Sequence, residues 1–179
     1  ELDRQAMSAN NIIKIWIDPV VTATPEAIKA IKNADVIIYA PGSLYGSILV
    51  NFLPLGIKQA LKAAKAKKIL ITNLTSNRNQ THEFSPLLYC KLFQKYTGLK
   101  KPFDIIISPN LSRPEFEIKF PKVASAYARE HAHFLGWKEK DFQNLNIQII
   151  RKDILAITPD LSRLRHDPAK LSKIFKSIL

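Results

Sequence analysis

Apolar residues along the chain fall into two kinds of run. Short, unbroken stretches rich in β-branched residues recur at Val36-Ile37-Ile38-Tyr39, at Lys68 to Asn73 and at Phe103 to Ser108. Runs that are apolar without alternation predict strands covered on both faces, as in a parallel sheet. Ile12 to Ile17 and Asn146 to Arg151 carry a similar signature and complete a set of five predicted strands. Between them, apolar positions repeat at helical spacing. Ile48, Leu49, Phe52, Leu53, Ile57, Ala60, Leu61 and Ala64 predict one long helix. Thr24-Pro25-Glu26 supplies a cap, a first-turn proline and a first-turn acid for a short helix that Asn33-Ala34-Asp35 ends.

A helix from Pro86 to about Tyr96 should stop near Gly98, and Val123 to Leu135 predicts another that ends at Gly136. Asp167 as cap and Pro168 in the first turn start a last helix with Ile174, Phe175 and Ile178 on its apolar side. Pro114 and Pro121 bracket a non-helical excursion, and Lys152 to Leu155 leads into a loop. Strands alternating with helices predict an α/β fold: a Rossmann-like, mostly parallel sheet flanked by helices, in a single domain over residues 1–179.

The stretch Ala40 to Ser47 joins a strand to a helix and holds two glycines and two serines. Backbone N–H groups and hydroxyls at such a junction suit an anion, and above all a phosphate. The same residues also suit a turn with no ligand, and they match neither the Walker loop nor the dinucleotide fingerprint. Leu74 to Ser85 is polar and follows the next strand, so both loops fall at the carboxyl ends of strands, where open α/β sheets bind ligands. His131 and His133, two apart on a predicted helix, point to different faces and make a poor metal site. Asp35 and Asp104 read as strand-edge or turn residues rather than catalytic acids, and Cys90 as a packed helix residue. No Ser-His-Asp order, metal-ligand cluster or close pair of acids stands out.

The chain has 179 residues, 46% of them hydrophobic, which suits one globular domain with a sizeable core. No apolar stretch is long enough to span a bilayer and no signal peptide pattern appears, so the reading is cytoplasmic with no membrane partner. A single cysteine makes no internal disulfide. Twenty-seven Lys and Arg against fifteen Asp and Glu leave a net charge of +12, which attracts anions. The lysines are spread along helices, so they read as a solvated face rather than a nucleic-acid module. Glu1 is an unsuitable start residue, which predicts that the chain begins inside a longer gene product.

Taken together, Ala34-Asp35 before a strand, Pro41-Gly42-Ser43-Leu44-Tyr45, Ser47-Ile48, Gly56-Ile57, Lys65-Ala66, Asn73-Leu74 and Arg165-His166-Asp167-Pro168 with Lys170-Leu171 resemble the family of gluconeogenesis factors and 2-phospho-L-lactate transferases, the YvcK-like and CofD-like proteins. The resemblance runs from about Ile12 to Ser108 and returns from about Arg151, with a divergent insertion at about 111–148. The Arg-His-Asp-Pro ending points to the gluconeogenesis-factor branch.

That branch implies a regulatory, non-catalytic protein that binds a nucleotide sugar such as UDP-N-acetylglucosamine and affects carbon metabolism, cell-wall growth and cell shape. By position, Tyr45 and Arg165 would contact the nucleotide sugar, Gly42, Ser43 and Ser47 would line its phosphates, and Pro41 and Asn73 would join the ligand-binding pocket. The transferase branch implies phospholactyl transfer to a deazaflavin with a divalent metal. A basic scaffold for nucleic acid or protein is a third reading, and a homo-oligomer stays open. This chain departs from the family at Ala40 (usually Gly), at Gly46 (usually Thr), at Asn79-Gln80-Thr81 (Gly-Glu-Thr) and at Leu88-Tyr89 (Asp-His). The glycine-rich segment that opens these proteins is absent, so the expected sheet is incomplete at the N-terminus and the chain corresponds to the C-terminal portion of the family.

Overall fold

A computed structural model describes residues 12–77, 81, 84–158 and 163–179. Its centre is a four-stranded parallel sheet, ordered β1 (Val36–Tyr39), β2 (Lys67–Ile71), β3 (Ile105–Pro109) and β4 (Gln148–Lys152). Ile38 lies opposite Ile69, Leu70 opposite Ile106, and Ile106 opposite Ile149. Side chains alternate between the faces of a strand. Leu70 and Ile106 therefore enter one core, with Tyr39, Phe52, Phe93, Phe103 and Trp137. Ile69, Ile71, Ile105 and Ile107 enter the other, with Phe116, Tyr127, Leu164 and Ile174. This two-sided burial is what the apolar runs of β2 and β3 predicted, while β1 departs from it, since Ile38 is exposed. The α/β fold with a mostly parallel sheet and flanking helices stands.

Helices α1 (Pro25–Asn33), α2 (Ile57–Ala63) and α3 (Pro86–Thr97) lead between or toward the strands of the first half. Thr24 and Ser85 cap α1 and α3 with their hydroxyls, each followed by proline at the first helical position. Gly98, left-handed at φ 71°, ends α3. Helix α6 (Pro168–Ile178) begins on Asp167, whose carboxylate accepts from the Ala169 and Lys170 N–H groups at 2.9 and 3.0 Å.

Several expectations are corrected. Ile12 to Ile17 joins no strand among the described residues. The Ile15 N–H donates to the Tyr96 hydroxyl and Lys95 Nζ to Ile13 O, so this segment lies over the end of α3. The predicted long helix is broken: residues 44–52 form a wide turn and a tight 3₁₀ turn, and α2 starts only at Ile57. Pro54 cannot supply an N–H and Gly56 sits at φ 94°, which together interrupt the helical ladder.

The region around Pro114 and Pro121 is helical. Pro114 falls in the first turn of α4 (Arg113–Lys119) and Pro121 begins α5 (Pro121–Arg129), positions where the missing N–H costs nothing. Helix α5 stops well short of Leu135, with His131 at φ 55°. Beyond Lys152 the chain forms a hairpin, β5 (Leu155–Thr158) antiparallel to β6 (Arg163–His166), where a loop was predicted. The fifth predicted strand is thus the fourth of the sheet. Asn79 and Gln80, together with His82 and Glu83 of the polar loop, lie outside the described residues.

Candidate functional site

The carboxyl ends of β1 and β2 lie side by side because Tyr39 pairs with Leu70. Three residues past Tyr39, the chain turns at Gly42. Two past Ile71, it presents Asn73. The Asn73 amide donates to Gly42 O at 2.9 Å, and its Oδ1 accepts from the Gly42 N–H at 3.3 Å. One side chain thus satisfies both backbone groups of the loop residue, as an adjoining strand would.

Ser43 then organises the turn that follows. Its hydroxyl accepts from the Gly46 N–H at 3.1 Å, and its carbonyl from the N–H groups of Ser47 and Ile48 at 2.8 and 3.1 Å. A hydrogen bond spanning five residues makes this a wide π-type turn, a form common at functional sites. A Cβ at Gly42 would lie 3.4 Å from Ser47 Cβ, so the two ends of the turn approach to van der Waals contact.

The expected phosphate-lining residues therefore divide. The Gly42 N–H is held by Asn73, and the Gly46, Ser47 and Ile48 N–H groups turn inward onto Ser43. Asn73 positions the loop. Pro41 and Gly42 are half-buried at its start, and Ser47 is exposed. Tyr45 departs from the expectation of a stacking ring: it is 3% exposed, packed in the core with Phe84 and Tyr89, and burial lifts its hydroxyl to about 12. Its neighbour Leu44 is wholly buried too, so the turn drives both side chains inward.

Arg165 lies on β6, opposite Ala156. The hairpin is anchored on α5, where the Leu164 N–H donates to the Tyr127 hydroxyl at 3.1 Å and Arg163 lies over the Tyr127 ring while pairing with Glu130. Leu164 is buried, so by strand alternation Arg165 points to the other face. It is exposed, and its Nη1 donates to Leu164 O at 3.0 Å. His166 points back toward the sheet, its Nε2 lying 3.0 Å from Thr72 O. Thr72 precedes Asn73, so neighbouring residues at the end of β2 hold the loop on one side and the Arg-His pair on the other. The structure gives no contact between Arg165 and residues 41–47.

Sequence reasoning missed the part played by Thr72 and His166. A contact between residues 94 positions apart leaves no local signal. It also missed Ser76 and His133, beyond the same edge, where Ser76 Oγ lies 3.1 Å from His133 Nδ1 and accepts from the His133 N–H at 2.9 Å. Burial holds the His166 ring below its ordinary value, against the raising effect of Thr72 O. Cys90 is buried in α3 and its thiol is pushed up to about 11, as suits a packed residue. Among the described residues no three His, Cys, Asp or Glu side chains converge on a metal position. No helix among them is long and apolar enough to cross a membrane.

Residues 3–155 match the model of the family described as 2-phospho-L-lactate transferase CofD. A Thermotoga maritima relative is 33% identical over 171 residues, 93% of this chain and 51% of its own length. Relatives named gluconeogenesis factor occur in Listeria monocytogenes, 29% identical over 97% of this chain and 50% of theirs, and in Bacillus subtilis, 28% identical over 91% and 47%. A crystal structure of a UPF0052-family protein from Bacillus halodurans superimposes with a TM-score of 0.78 at 27% identity, covering 91% of this chain and 50% of that one. The chain thus spans about half the length of the curated relatives it matches.

Proposed function

This chain belongs to the family of 2-phospho-L-lactate transferase CofD, and on that premise we propose that it acts as a gluconeogenesis factor: a cytoplasmic regulatory protein that binds a nucleotide sugar of the UDP-N-acetylglucosamine type and affects carbon metabolism, cell-wall growth and cell shape. The observation that carries this reading is the two-bond clamp between Gly42 and Asn73, which holds the loop in one conformation at the carboxyl edge of the sheet. A loop set in advance loses less entropy on binding. The ligand's phosphates lie along this edge, where the Ser47 hydroxyl is exposed. Arg165, with no acid paired to it among the described residues, meets the pyrophosphate through its planar guanidinium. A net charge of +12 draws the anionic ligand in. On the same reading residues 1–179 form one α/β domain, the C-terminal portion of the family's fold, with 111–148 as a divergent insertion.

Calorimetric titration of UDP-N-acetylglucosamine into this chain tests the reading. Saturable binding that Arg165→Ala weakens about tenfold, equivalent to about 1.4 kcal/mol, supports it. Absence of binding, or binding indifferent to Arg165→Ala, overturns it.

The transferase reading is favoured by the description of the matching family. The described residues gather no metal-ligand set that fits the divalent ion this chemistry uses, so no step through a metal is derived. Phospholactyl transfer to a deazaflavin acceptor, followed by mass spectrometry with magnesium present, would establish that activity directly.

A further inference from the structure

Beyond Asn73, the chain leaving β2 pairs with a distant segment. Thr75 lies opposite Phe134 in antiparallel sense, the Leu135 N–H donates to Leu74 O, and the Ser76 N–H donates to His133 O, both at 2.8 Å. On the far side of that segment the Arg113 N–H donates to Gly136 O at 3.2 Å, and the Lys138 N–H to the Asp141 carboxylate at 2.6 Å. The stretch from His133 to Lys138 is thus fixed from two directions, and a wall fixed in advance loses less entropy when something binds against it.

Between this wall, Phe84 and the start of α4 lies a cavity of about 370 Å³, within the size range of small-molecule sites. Phe84, Leu135 and Trp137, all buried, form its apolar side. Arg113, Lys138 and Lys140 form its charged side, against one acid, Asp141. The acids nearby are already engaged. Asp141 accepts from the Lys138 N–H, Glu117 from Arg113 Nε at 2.7 Å, and Glu115 from the N–H and hydroxyl of Ser112 at 2.7 and 2.6 Å. Among the described residues no ion pair engages Lys138 or Lys140. Trp137 adds an indole N–H that is buried without an acceptor among the described residues, although buried polar groups are as a rule paired.

We propose that this cavity is a second binding site, for a small organic anion with a carboxylate or phosphate head and a flat apolar body. The head lies at Arg113 and Lys138, since guanidinium and ammonium groups give charge-assisted bonds to either kind of oxygen. The body lies against Phe84 and Trp137. The cavity includes none of residues 41–47, nor Asn73, nor Arg165, so the proposal stands apart from the nucleotide sugar.

Benzoate and phenyl phosphate are the probes, each titrated into the chain carrying Trp16→Phe, which leaves Trp137 as its one tryptophan. No nucleotide sugar is present, so the outcome is independent of that reading. Trp137 emission should change saturably with at least one probe, and the probe that acts distinguishes a carboxylate head from a phosphate. Arg113→Ala should raise the dissociation constant about tenfold, as loss of a charge-assisted bond would. Lys138→Ala combined with Lys140→Ala should do the same while leaving the circular dichroism unchanged, because both side chains are exposed. Silence of Trp137 with both probes overturns the proposal. Equal affinity in both alanine variants overturns it as well, and so does binding of neutral benzyl alcohol as tight as that of the anions. Inorganic phosphate bound as tightly as phenyl phosphate would show that the apolar wall takes no part, and overturns it equally.

Discussion

Asn73 and Gly42 exchange two hydrogen bonds across adjacent strand ends, 31 residues apart, and this one side chain sets the position of the loop. Replacing it by alanine leaves a half-buried N–H and C=O without partners. Asn73→Ala should lower stability by about 1–2 kcal/mol in urea denaturation and weaken nucleotide-sugar binding in parallel. Asn73→Asp keeps the acceptor for the Gly42 N–H but turns a carboxylate toward Gly42 O, so it should not restore stability at neutral pH. Full stability in Asn73→Asp would show that the Gly42 carbonyl contributes nothing.

His166 makes stability depend on pH. The Thr72 carbonyl can only accept, so the neutral ring carries its proton on Nε2 and donates it there. Burial lowers the folded pKa, so the unfolded chain takes up a second ring proton more readily than the folded one. Stability should be at its plateau above the ordinary value near 6.5, decline as pH falls through that value, and stop declining below the folded pKa. His166→Gln keeps a donor and cannot titrate. Subtracting its unfolding free energies from those of the unaltered chain, between pH 8 and 5, isolates the effect, and a flat difference would show that His166 does not contribute.

Phe93 is wholly buried at the centre of an aromatic cluster, with ring centroids 5.0 Å from Tyr39, 5.7 Å from Phe52 and 4.6 Å from Phe103. Removing the ring opens a cavity that three rigid neighbours cannot close. Phe93→Ala should cost about 3–5 kcal/mol, measured by chemical denaturation, whereas Phe93→Leu should cost markedly less.

Gly136 lies where the chain returns from α5 to the end of β2. Its carbonyl accepts from the Arg113 N–H, and a Cβ built on it would fall 2.5 Å from Leu111 O and 2.3 Å from the Phe134 ring. The carbonyl belongs to the backbone and cannot step aside cheaply. Gly136→Ala should lower the melting temperature by several degrees, the shift expected from about 1–3 kcal/mol of overpacking.

The parts of the fold legible in the sequence were those written in neighbouring residues. Asp167-Pro168 and Thr24-Pro25 announced helix starts through their own capping chemistry, and the apolar runs around Leu70 and Ile106 announced strands buried on both faces, whereas the equally apolar run around Ile38 leaves that side chain exposed. Where the local signal was equally strong but the context differed, prediction failed. Ile12 to Ile17 has the composition of a strand, yet a strand needs a ladder partner, and composition does not supply one. Pro114 and Pro121 look like helix breakers unless their place within a turn is known, and that place depends on where α4 and α5 begin.

For the candidate site the division is the same. By itself the sequence determined that a strand, a turn rich in glycine and serine and then helical turns would follow one another at residues 36–64, that the surface would be strongly basic, and that an Arg-His pair would stand just before the last helix. Only the tertiary structure decided that Asn73 grips Gly42, that Tyr45 turns into the core, and that His166 reaches Thr72 from 94 residues away. Caps, turns and periodicity follow from interactions within a few residues, so they can be read along the chain. A hydrogen bond between distant strand ends, and the choice of which face of a turn is buried, depend on how the sheet assembles.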